Sequence, residues 1–165
     1  MNMFRICKHL LTGRWQVVRH FPKSSMANIE AAIQAAETKH MGELRFAVEA
    51  GLDIHELWHS ITPRQRAIEV FSQLRIWDTE HNSGVLIYLL LADRRVEIVA
   101  DRGIHAKVGD EQWQTICREM EKHFRSGSFE QGVRHGIMAI SDLLQQHFPA
   151  HGPHANELSN SPVVL

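Results

Sequence analysis

The chain has 165 residues, which suits one domain with a sizeable hydrophobic core. Its 18 Lys and Arg residues nearly balance its 19 Asp and Glu residues, and this charge excludes a general nucleic-acid binder, which normally carries a marked basic excess. Two cysteines give no disulfide framework, and no apolar run approaches the roughly 20 residues that cross a bilayer. We therefore expect a cytoplasmic, monomeric protein with no specific nucleic-acid partner and no membrane-spanning segment.

Residues 1–23 form a basic arm ahead of the main domain. The arm has no acidic residue, and its cations are Arg5, Lys8, Arg14, Arg19 and Lys23. Residues 3–11 fit a short amphipathic helix, and residues 15–21 fit an extended apolar segment. We expect the arm to pack on its own domain, and contact with an anionic surface is the alternative.

Residues 24–148 are predicted to form the folded domain. A serine N-cap, Ser24 or Ser25, precedes an apolar pattern of helical spacing that ends near Gly42. Residues 43–50 then alternate between apolar and charged side chains. This alternation predicts a half-buried strand, the first in the sheet.

A helix and a hairpin follow. Thr62, Pro63 and Gln65 form a helix start with proline at the first helical position and a capping box. Residues 85–91 are apolar without interruption, which is typical of a strand covered on both faces. A short polar break and a second strand at residues 96–99 complete an antiparallel hairpin at the centre of the sheet.

Two further helices are predicted, one with Asp110 as its N-cap and one that starts near Ser128. Gly132 and Gly136 lie one turn apart on the second helix, where we expect them to allow close packing on the sheet. Residues 149–165 have no periodicity and are predicted to be a disordered tail. The order of elements predicts a three-layer α/β/α sandwich on a small mixed sheet with a central β-hairpin.

One motif matches the His-Glu-x-x-His pattern of zinc proteases, at His55, Glu56 and His59. On a helix the two histidines would share a face and bind zinc, with Glu56 as general base. The segment is short, however, and a chain with 12 histidines can match the pattern by chance. We interpret it as a surface connection and do not expect zinc, so a zinc hydrolase is the most distant alternative.

The open end of the hairpin brings two polar clusters together. The first precedes the hairpin and the second follows it; their members are Asp78, Glu80, His81 and Asn82, and Asp101, Arg102 and His105. Ca²⁺ and Mg²⁺ prefer carboxylate, amide and carbonyl oxygens, so we expect one of these cations here. The candidate metal ligands are Asp78, Glu80, Asn82 and Asp101. The simpler alternative is two solvated loops in which polar side chains fix turns.

The second cluster also contains the candidate catalytic residues. Arg102 suits an anionic group such as phosphate, and His105 has the acid/base capacity to donate a proton. No nucleophile with its own activating base is visible elsewhere in the sequence.

Five short blocks of the sequence share a pattern with one known family. They are GELRFAV at 42–48, NSGVLIYL at 82–89, DRRVEI at 93–98, DRGI at 101–104 and FEQG at 129–132. In this order the blocks resemble the TPM domain, the thylakoid-lumen acid-phosphatase-like domain, over roughly residues 25–148. The resemblance implies an α/β/α sandwich, divalent-cation binding in some members, often of calcium, and weak acid phosphatase activity in a plant member. Other relatives act in photosystem repair or as membrane-protein auxiliaries.

The sequence also departs from the family pattern. Relatives commonly have Gly-x-Gly-Leu-Glu after the second hairpin strand, whereas residues 101–105 place His105 where the glutamate would stand. Many relatives carry a signal peptide and a membrane anchor, and we expect neither here. A cation site would therefore have altered ligands.

Two functions follow from these observations. The favoured one is a divalent-cation-binding interaction or accessory module that docks on an unknown protein or a membrane-associated partner. The alternative is a weak metal-dependent phosphatase acting on phosphate esters. In that enzyme Asp78 and Asp101 would hold the cation, Arg102 the phosphate, and His105 would donate the proton.

Overall fold

The computed structural model describes residues 3–152 and 155–165. None of the helices in this part of the chain is long and apolar enough to cross a membrane. The elements are, in order, α1 (Met3–Leu11), α2 (Arg14–His20), α3 (Lys23–Glu37), β1 (Glu43–Glu49), α4 (Ile54–Trp58), α5 (Pro63–Gln73), β2 (Gly84–Leu90), β3 (Arg95–Ala100), α6 (Arg102–Val108), α7 (Asp110–Arg125), α8 (Phe129–His147) and β4 (Val163–Val164).

The sheet has four strands in the described residues, in the order β3-β2-β1-β4. β1 runs parallel to both β2 and β4, whereas β2 pairs antiparallel with β3. α5 lies on the crossover between β1 and β2, and a short turn joins β2 to β3. The predicted mixed sheet and its antiparallel hairpin are confirmed, but the hairpin is not central, because β3 lies at the edge of the sheet.

Helices cover both faces of the sheet. On β2, Ile87 and Leu89 belong to the core that α3, α7 and α8 close, whereas Leu86 and Tyr88 belong to a second core beneath α5. A strand covered on both faces has no solvent side, which explains its unbroken apolar sequence. The predicted three-layer α/β/α sandwich is confirmed.

The first strand is more buried than its alternating sequence predicts. β1 lies inside the sheet, between β2 and β4, and its Glu43 and Glu49 are buried. The two oxygens of Glu49 accept hydrogen bonds from Arg66 at 2.9 and 3.0 Å. The carboxylate of Glu43 accepts from the backbone N–H groups of Glu157 and Leu158 at 3.3 and 3.2 Å. The prediction of a half-buried strand is wrong because these partners lie far away in the sequence.

The C-terminal segment differs from the disorder expected for residues 149–165. β4 pairs with β1 at Ala47 and Val48, and the N–H of Leu165 donates to the Val48 carbonyl at 3.0 Å. These contacts complete the edge of the sheet, and no local periodicity encodes them. The expectation for residues 153–154 lies outside the described residues.

The basic arm of residues 1–23 packs against the domain, although residues 1–2 lie outside the described part. The segment expected to be extended forms α2, whose Val17 is buried. Phe21 is 2% exposed, and its ring centroid lies 5.9 Å from that of Phe129. A helix forms here because it turns positions four residues apart toward the same core.

The helix caps were predicted with mixed success. At α5 the capping box is confirmed, because Thr62 Oγ1 accepts from the Gln65 N–H at 3.2 Å and Gln65 Oε1 accepts from the Thr62 N–H at 2.9 Å. The serine cap predicted for α3 is wrong. Pro22 takes the N-cap position, and Ser25 instead donates a hydrogen bond of 2.5 Å to Glu130 of α8.

Gly132 and Gly136 allow close packing against α7, not against the sheet as the sequence suggested. A Cβ at Gly132 would lie 2.6 Å from Cε1 of Phe124, and one at Gly136 would collide with Sδ of Met120. The two glycines therefore determine how closely α8 approaches its neighbouring helix.

Candidate functional site

The open end of the hairpin joins two segments, as its geometry predicts. The N–H of Asp101 donates to the carbonyl of Gly84 at 2.9 Å, which places the start of α6 beside the start of β2. A Cβ on Gly103 would lie 2.8 Å from the carbonyl oxygen of Asn82 and 3.2 Å from that of His81. The loop before β2 therefore lies directly against the first turn of α6.

Ser83 fixes this loop at the end of the sheet. Its N–H donates to Thr79 Oγ1 at 2.9 Å, and its hydroxyl donates to the Met41 carbonyl at 3.1 Å. Its carbonyl accepts from the N–H of Glu43 at 3.0 Å. Asn82 takes a φ of 50°, in the left-handed region that asparagine tolerates better than most residues. These contacts hold the loop backbone in one position.

Asp101 is the buried carboxylate of the cluster. Its Oδ1 accepts a hydrogen bond of 2.6 Å from the N–H of Arg102 and so caps α6. The residue is 7% exposed, and Oδ2 has no hydrogen-bond partner among the described residues. Buried polar atoms are nearly always satisfied, so this oxygen stands out among the polar atoms of the cluster.

Residues 101–105 form the start of a helix instead of the loop that the sequence suggests. The following helix, α7, begins at Asp110 with Gly109 as its N-cap at a φ of 81°, so the predicted aspartate cap is wrong. The apolar residues that α6 buries are Ile104 and Val108. Two such positions give too short a pattern to predict a helix.

The other candidate metal ligands, Asp78, Glu80 and Asn82, lie on the exposed loop. The backbone N–H of Glu80 donates to the carboxylate of Glu157 at 2.9 Å, so the C-terminal segment also reaches this end of the sheet. In the part of the chain that the structure describes, no three His, Cys, Asp or Glu side chains converge as a metal-binding group. Asp78, Glu80 and Asp101 therefore do not form a preassembled three-carboxylate site.

The two candidate catalytic residues lie on α6. Arg102 is exposed and His105 is half-buried, and their separation of three residues places them on one side of the helix. Nε2 of His105 lies 3.7 Å from Oδ1 of Asp110, which is a long contact. Solvent therefore reaches both side chains.

Glu37 is a buried carboxylate at the same end of the sheet, and the sequence analysis missed it. Its Oε1 accepts a hydrogen bond of 2.8 Å from the N–H of Leu44, and burial raises its pKa to about 7. Glu37 lines a cleft of about 540 Å³, whose other lining residues are Gln34, Thr38, Ala150, Gly152, Asn156 and Asn160. Glu37 follows Ile29 and Ile33 at steps of four, and this place on the apolar stripe was the available signal.

The His-Glu-x-x-His motif begins in α4, a helix of five residues, and ends at His59, the residue that caps it. Glu56 Oε2 accepts from the N–H of Asp53 at 2.8 Å, and Glu56 Oε1 lies 3.3 Å from Nε of Arg66. The rings of His55 and His59 pack on each other with centroids 4.2 Å apart. Glu56 thus serves as a helix cap and an ion-pair partner, which accounts for its place in the sequence without a metal.

The fold and the cluster together define a class of protein. An open mixed sheet lies between two helical layers, and polar loops gather where β2 begins and β3 ends. This arrangement is that of a small α/β/α sandwich domain with a polar hairpin end. A sequence model described as the TPM domain matches residues 19–143, and the chain belongs to this family.

Solved structures are consistent with this assignment. The chain is similar to the BA42 protein of the psychrophilic bacterium Bizionia argentinensis, with a TM-score of 0.76 and 30% identity, over 86% of this chain and 92% of that one. It also resembles, in fold alone, the N-terminal domain of a protein from P. gingivalis, with a TM-score of 0.59 and 21% identity over 76% of each chain. No curated protein matches the sequence.

Proposed function

We propose that this TPM-type domain is an accessory module that binds a divalent cation at the open end of the hairpin. The observation that carries the proposal is Oδ2 of Asp101, a buried carboxylate oxygen without a hydrogen-bond partner among the described residues. A bound cation would satisfy this oxygen and neutralise the buried charge. The partner that the module assists would be a protein or a membrane-associated assembly.

Nearby oxygen atoms favour a hard cation, Ca²⁺ or Mg²⁺. The carbonyl groups of His81 and Asn82 face Gly103, two residues after Asp101. Asp78 and Glu80 are exposed on the same loop and are able to move toward a bound ion. With one buried carboxylate and mainly neutral oxygens, we expect weak binding, with a Kd on the order of 0.1 to 1 mM.

Calorimetric titration of the full chain with CaCl2 and with MgCl2 tests this proposal. Asp101→Asn removes the charge but keeps the helix cap, because asparagine caps helices about as well as aspartate. We expect this variant to keep its melting temperature in the absence of metal and to bind at least tenfold more weakly.

Asp142→Asn is the matched control, since Asp142 is an exposed aspartate on α8. It should bind the cation as the unchanged chain does. The proposal fails if the unchanged chain binds neither cation at millimolar concentration, or if Asp101→Asn binds with the same affinity.

A weak metal-dependent phosphatase is the second candidate. Arg102 and His105 lie on one side of α6, directly after Asp101, and the matched family model carries the word phosphatase in its name. A cation at Asp101 would polarise a phosphoryl oxygen. Arg102 would bind a second oxygen, a water molecule would attack the phosphorus, and His105 would protonate the leaving alcohol as its bond to phosphorus breaks.

Turnover of p-nitrophenyl phosphate with added Ca²⁺, Mg²⁺ or Mn²⁺ tests whether the chain is a phosphatase. Phosphatase function predicts that Asp101→Asn and His105→Gln abolish turnover. His135→Gln, which changes an exposed histidine on α8, should retain it. If the unchanged chain is no faster than Asp101→Asn, the phosphatase is excluded and the accessory module remains.

A further inference from the structure

α1 is attached to the domain by its polar side, and Ile6 adds an apolar contact with the core beneath α5. The residue of this helix that the structure buries is His9, whose Nδ1 accepts a hydrogen bond of 2.9 Å from the N–H of Leu52. Nε2 of His9 therefore carries the ring hydrogen, and it lies 3.0 Å from Oδ1 of Asp93. Arg5 donates to Oδ2 of Asp93 at 3.1 and 3.2 Å.

These contacts have a clear electrostatic effect on Asp93, in the turn between β2 and β3. Burial raises the pKa of its carboxyl group, but the contacts from His9 and Arg5 outweigh burial and hold the pKa below its ordinary value. The helix is thus held in place by a charged aspartate. Its orientation follows from these contacts with Asp93.

The opposite side of α1 is apolar and faces solvent. Met3, Cys7 and Leu11 recur at steps of four and are all exposed, and Leu11 is 75% exposed. An amphipathic helix on a soluble domain ordinarily turns this side inward. Here the polar side is turned inward instead.

Neighbouring helices also expose apolar residues. Six of the eleven large hydrophobic residues that are exposed in the described part lie on α1 and α2. They are Met3, Phe4, Leu10, Leu11, Trp15 and Val18. α4 contacts α1 and adds Ile54 and Trp58, which are four residues apart. We call the exposed residues of α1 and α2, with Ile54 and Trp58, the outward surface; such a concentration of apolar side chains marks an interaction site.

Cations outnumber acidic side chains around the outward surface. Lys8, Arg14, Arg19 and Lys23 are exposed, and the first acidic residue of the chain is Glu30. On α4, the acidic side chains of the capping box each accept a hydrogen bond from the other residue's backbone. Apolar side chains with tryptophan, surrounded by exposed cations, match a lipid surface with anionic headgroups.

We propose that the outward surface binds an anionic lipid bilayer, lying in the plane of the interface without crossing it. Trp15 and Trp58 would sit at headgroup level, the leucines would enter the acyl boundary, and the cations would meet the headgroups. This inference is independent of the cation site at the hairpin end.

Co-sedimentation of the full chain with vesicles tests the proposal. We expect the protein to pellet with vesicles of phosphatidylcholine and phosphatidylserine at low salt. Binding should fall steeply with added salt and should be weak to phosphatidylcholine alone. A protein that stays in the supernatant with anionic vesicles at low salt would overturn the proposal.

Apolar substitutions test whether vesicle binding depends on the outward surface or on any exposed apolar residue. Leu11→Gln and Trp15→Gln should each weaken vesicle binding on the order of tenfold, because each removes a side chain that enters the interface. The matched controls are Met138→Gln and Trp77→Gln, which change exposed apolar residues elsewhere. The proposal is overturned if the controls lose as much binding as the surface variants.

Charge substitutions test the headgroup contact. Arg14→Gln with Arg19→Gln should weaken binding about 25-fold, since each cation near an anionic surface contributes about fivefold. Arg118→Gln with Arg134→Gln removes the same net charge from exposed positions on α7 and α8 and should leave binding unchanged. Equal losses in both pairs would mean that net charge alone attracts the protein, which contradicts the proposal.

A dye attached to Cys7 can report vesicle binding directly, because Cys7 lies on the outward surface and is exposed. Burial raises the pKa of the other thiol, Cys117, to about 12, so a maleimide dye should label Cys7 selectively. An environment-sensitive dye at Cys7 should shift to shorter wavelength with anionic vesicles. If sedimentation velocity instead shows a dimer that Leu11→Gln abolishes, with no vesicle binding, a second copy covers the surface and the lipid proposal is wrong.

Discussion

The hydroxyl of Tyr88 donates a hydrogen bond of 2.5 Å to Oε2 of Glu49 in the interior of the domain. Arg66 reaches the same carboxylate from α5 and also lies 3.3 Å from Glu56 of α4. The pair on neighbouring strands is therefore the centre of a buried polar network that ties both strands to two helices.

Breaking this network should destabilise the fold. Tyr88→Phe removes a hydrogen bond to a charged group, and we expect a loss of about 1.5 to 3 kcal/mol in the free energy of unfolding. Glu49→Ala should cost more, about 3 to 5 kcal/mol, because it removes the partner of both the buried Tyr88 hydroxyl and the half-buried Arg66. Urea unfolding measures both. Thr115→Val removes an exposed hydroxyl and should change stability by less than about 0.5 kcal/mol, and a similar small change for Tyr88→Phe would contradict the prediction.

Tyr88 should also respond to alkaline pH in a defined way. Burial, and then the negative charge of Glu49, raise the pKa of its hydroxyl above the ordinary value of 10.0. The folded protein thus keeps a proton that the unfolded chain releases, so stability is unaffected by this group below about pH 10 and falls above it. Tyr88 is the single tyrosine of the chain, and the ultraviolet absorbance of phenolate follows it alone. Phenolate that appears near pH 10 before unfolding would contradict the burial of this hydroxyl.

Glu37 should make the fold less stable as pH rises through neutrality. Burial raises its pKa from 4.5 to about 7, so the stabilisation from its bound proton is complete below pH 4.5 and is lost as pH rises through about 7. Glu37→Gln removes this dependence. Between pH 4.5 and pH 8, the free energy of unfolding of the variant should rise by roughly 2 to 4 kcal/mol relative to that of the unchanged chain. Urea unfolding at each pH measures this difference.

A matched control for that titration is Glu111→Gln, at an exposed position on α7. Its free energy of unfolding should depend on pH in the same way as that of the unchanged chain. If the free energy of unfolding of Glu37→Gln also follows that of the unchanged chain, Glu37 does not hold its proton in the folded state.

The basic arm should be required for stability. Phe21 is 2% exposed, and its ring lies 5.6 Å from that of Phe46 in the core. Phe21→Ala should therefore lower the free energy of unfolding by about 3 to 5 kcal/mol, and removal of residues 1–23 should destabilise the domain at least as much. Trp15→Ala, at an exposed position of the same arm, should change it by less than about 0.5 kcal/mol. A truncated domain that unfolds at the same urea concentration would show that the arm is dispensable.

Elements with strong local signals could be predicted from the sequence. The apolar run of β2 predicted a strand covered on both faces, and the residues at Thr62 predicted the start of α5. In both cases the deciding interactions are close in sequence or depend on composition alone. The hairpin then placed Asp101 beside the loop that contains Asn82, as expected.

Features that depend on distant partners could not be predicted. Glu43 and Glu49 alternate with apolar residues as solvent-facing positions would, yet partners at Leu158 and Arg66 allow them to be buried. The same reason explains β4, because its pairing depends on an open strand edge and not on its own periodicity. At the candidate site, the burial of Glu37 also depends on packing at the start of β1, so its place on the apolar stripe of α3 was not sufficient to predict it.

The contact between α3 and α8 has a consequence for synthesis on the ribosome. Ser25 donates a hydrogen bond to Glu130, which lies 105 residues further along the chain, and Phe21 packs on Phe129. The core between these helices is therefore incomplete until α8 has left the exit tunnel. Until then, the apolar residues of α2 and α3 lack their partners in the nascent chain and are available to chaperones.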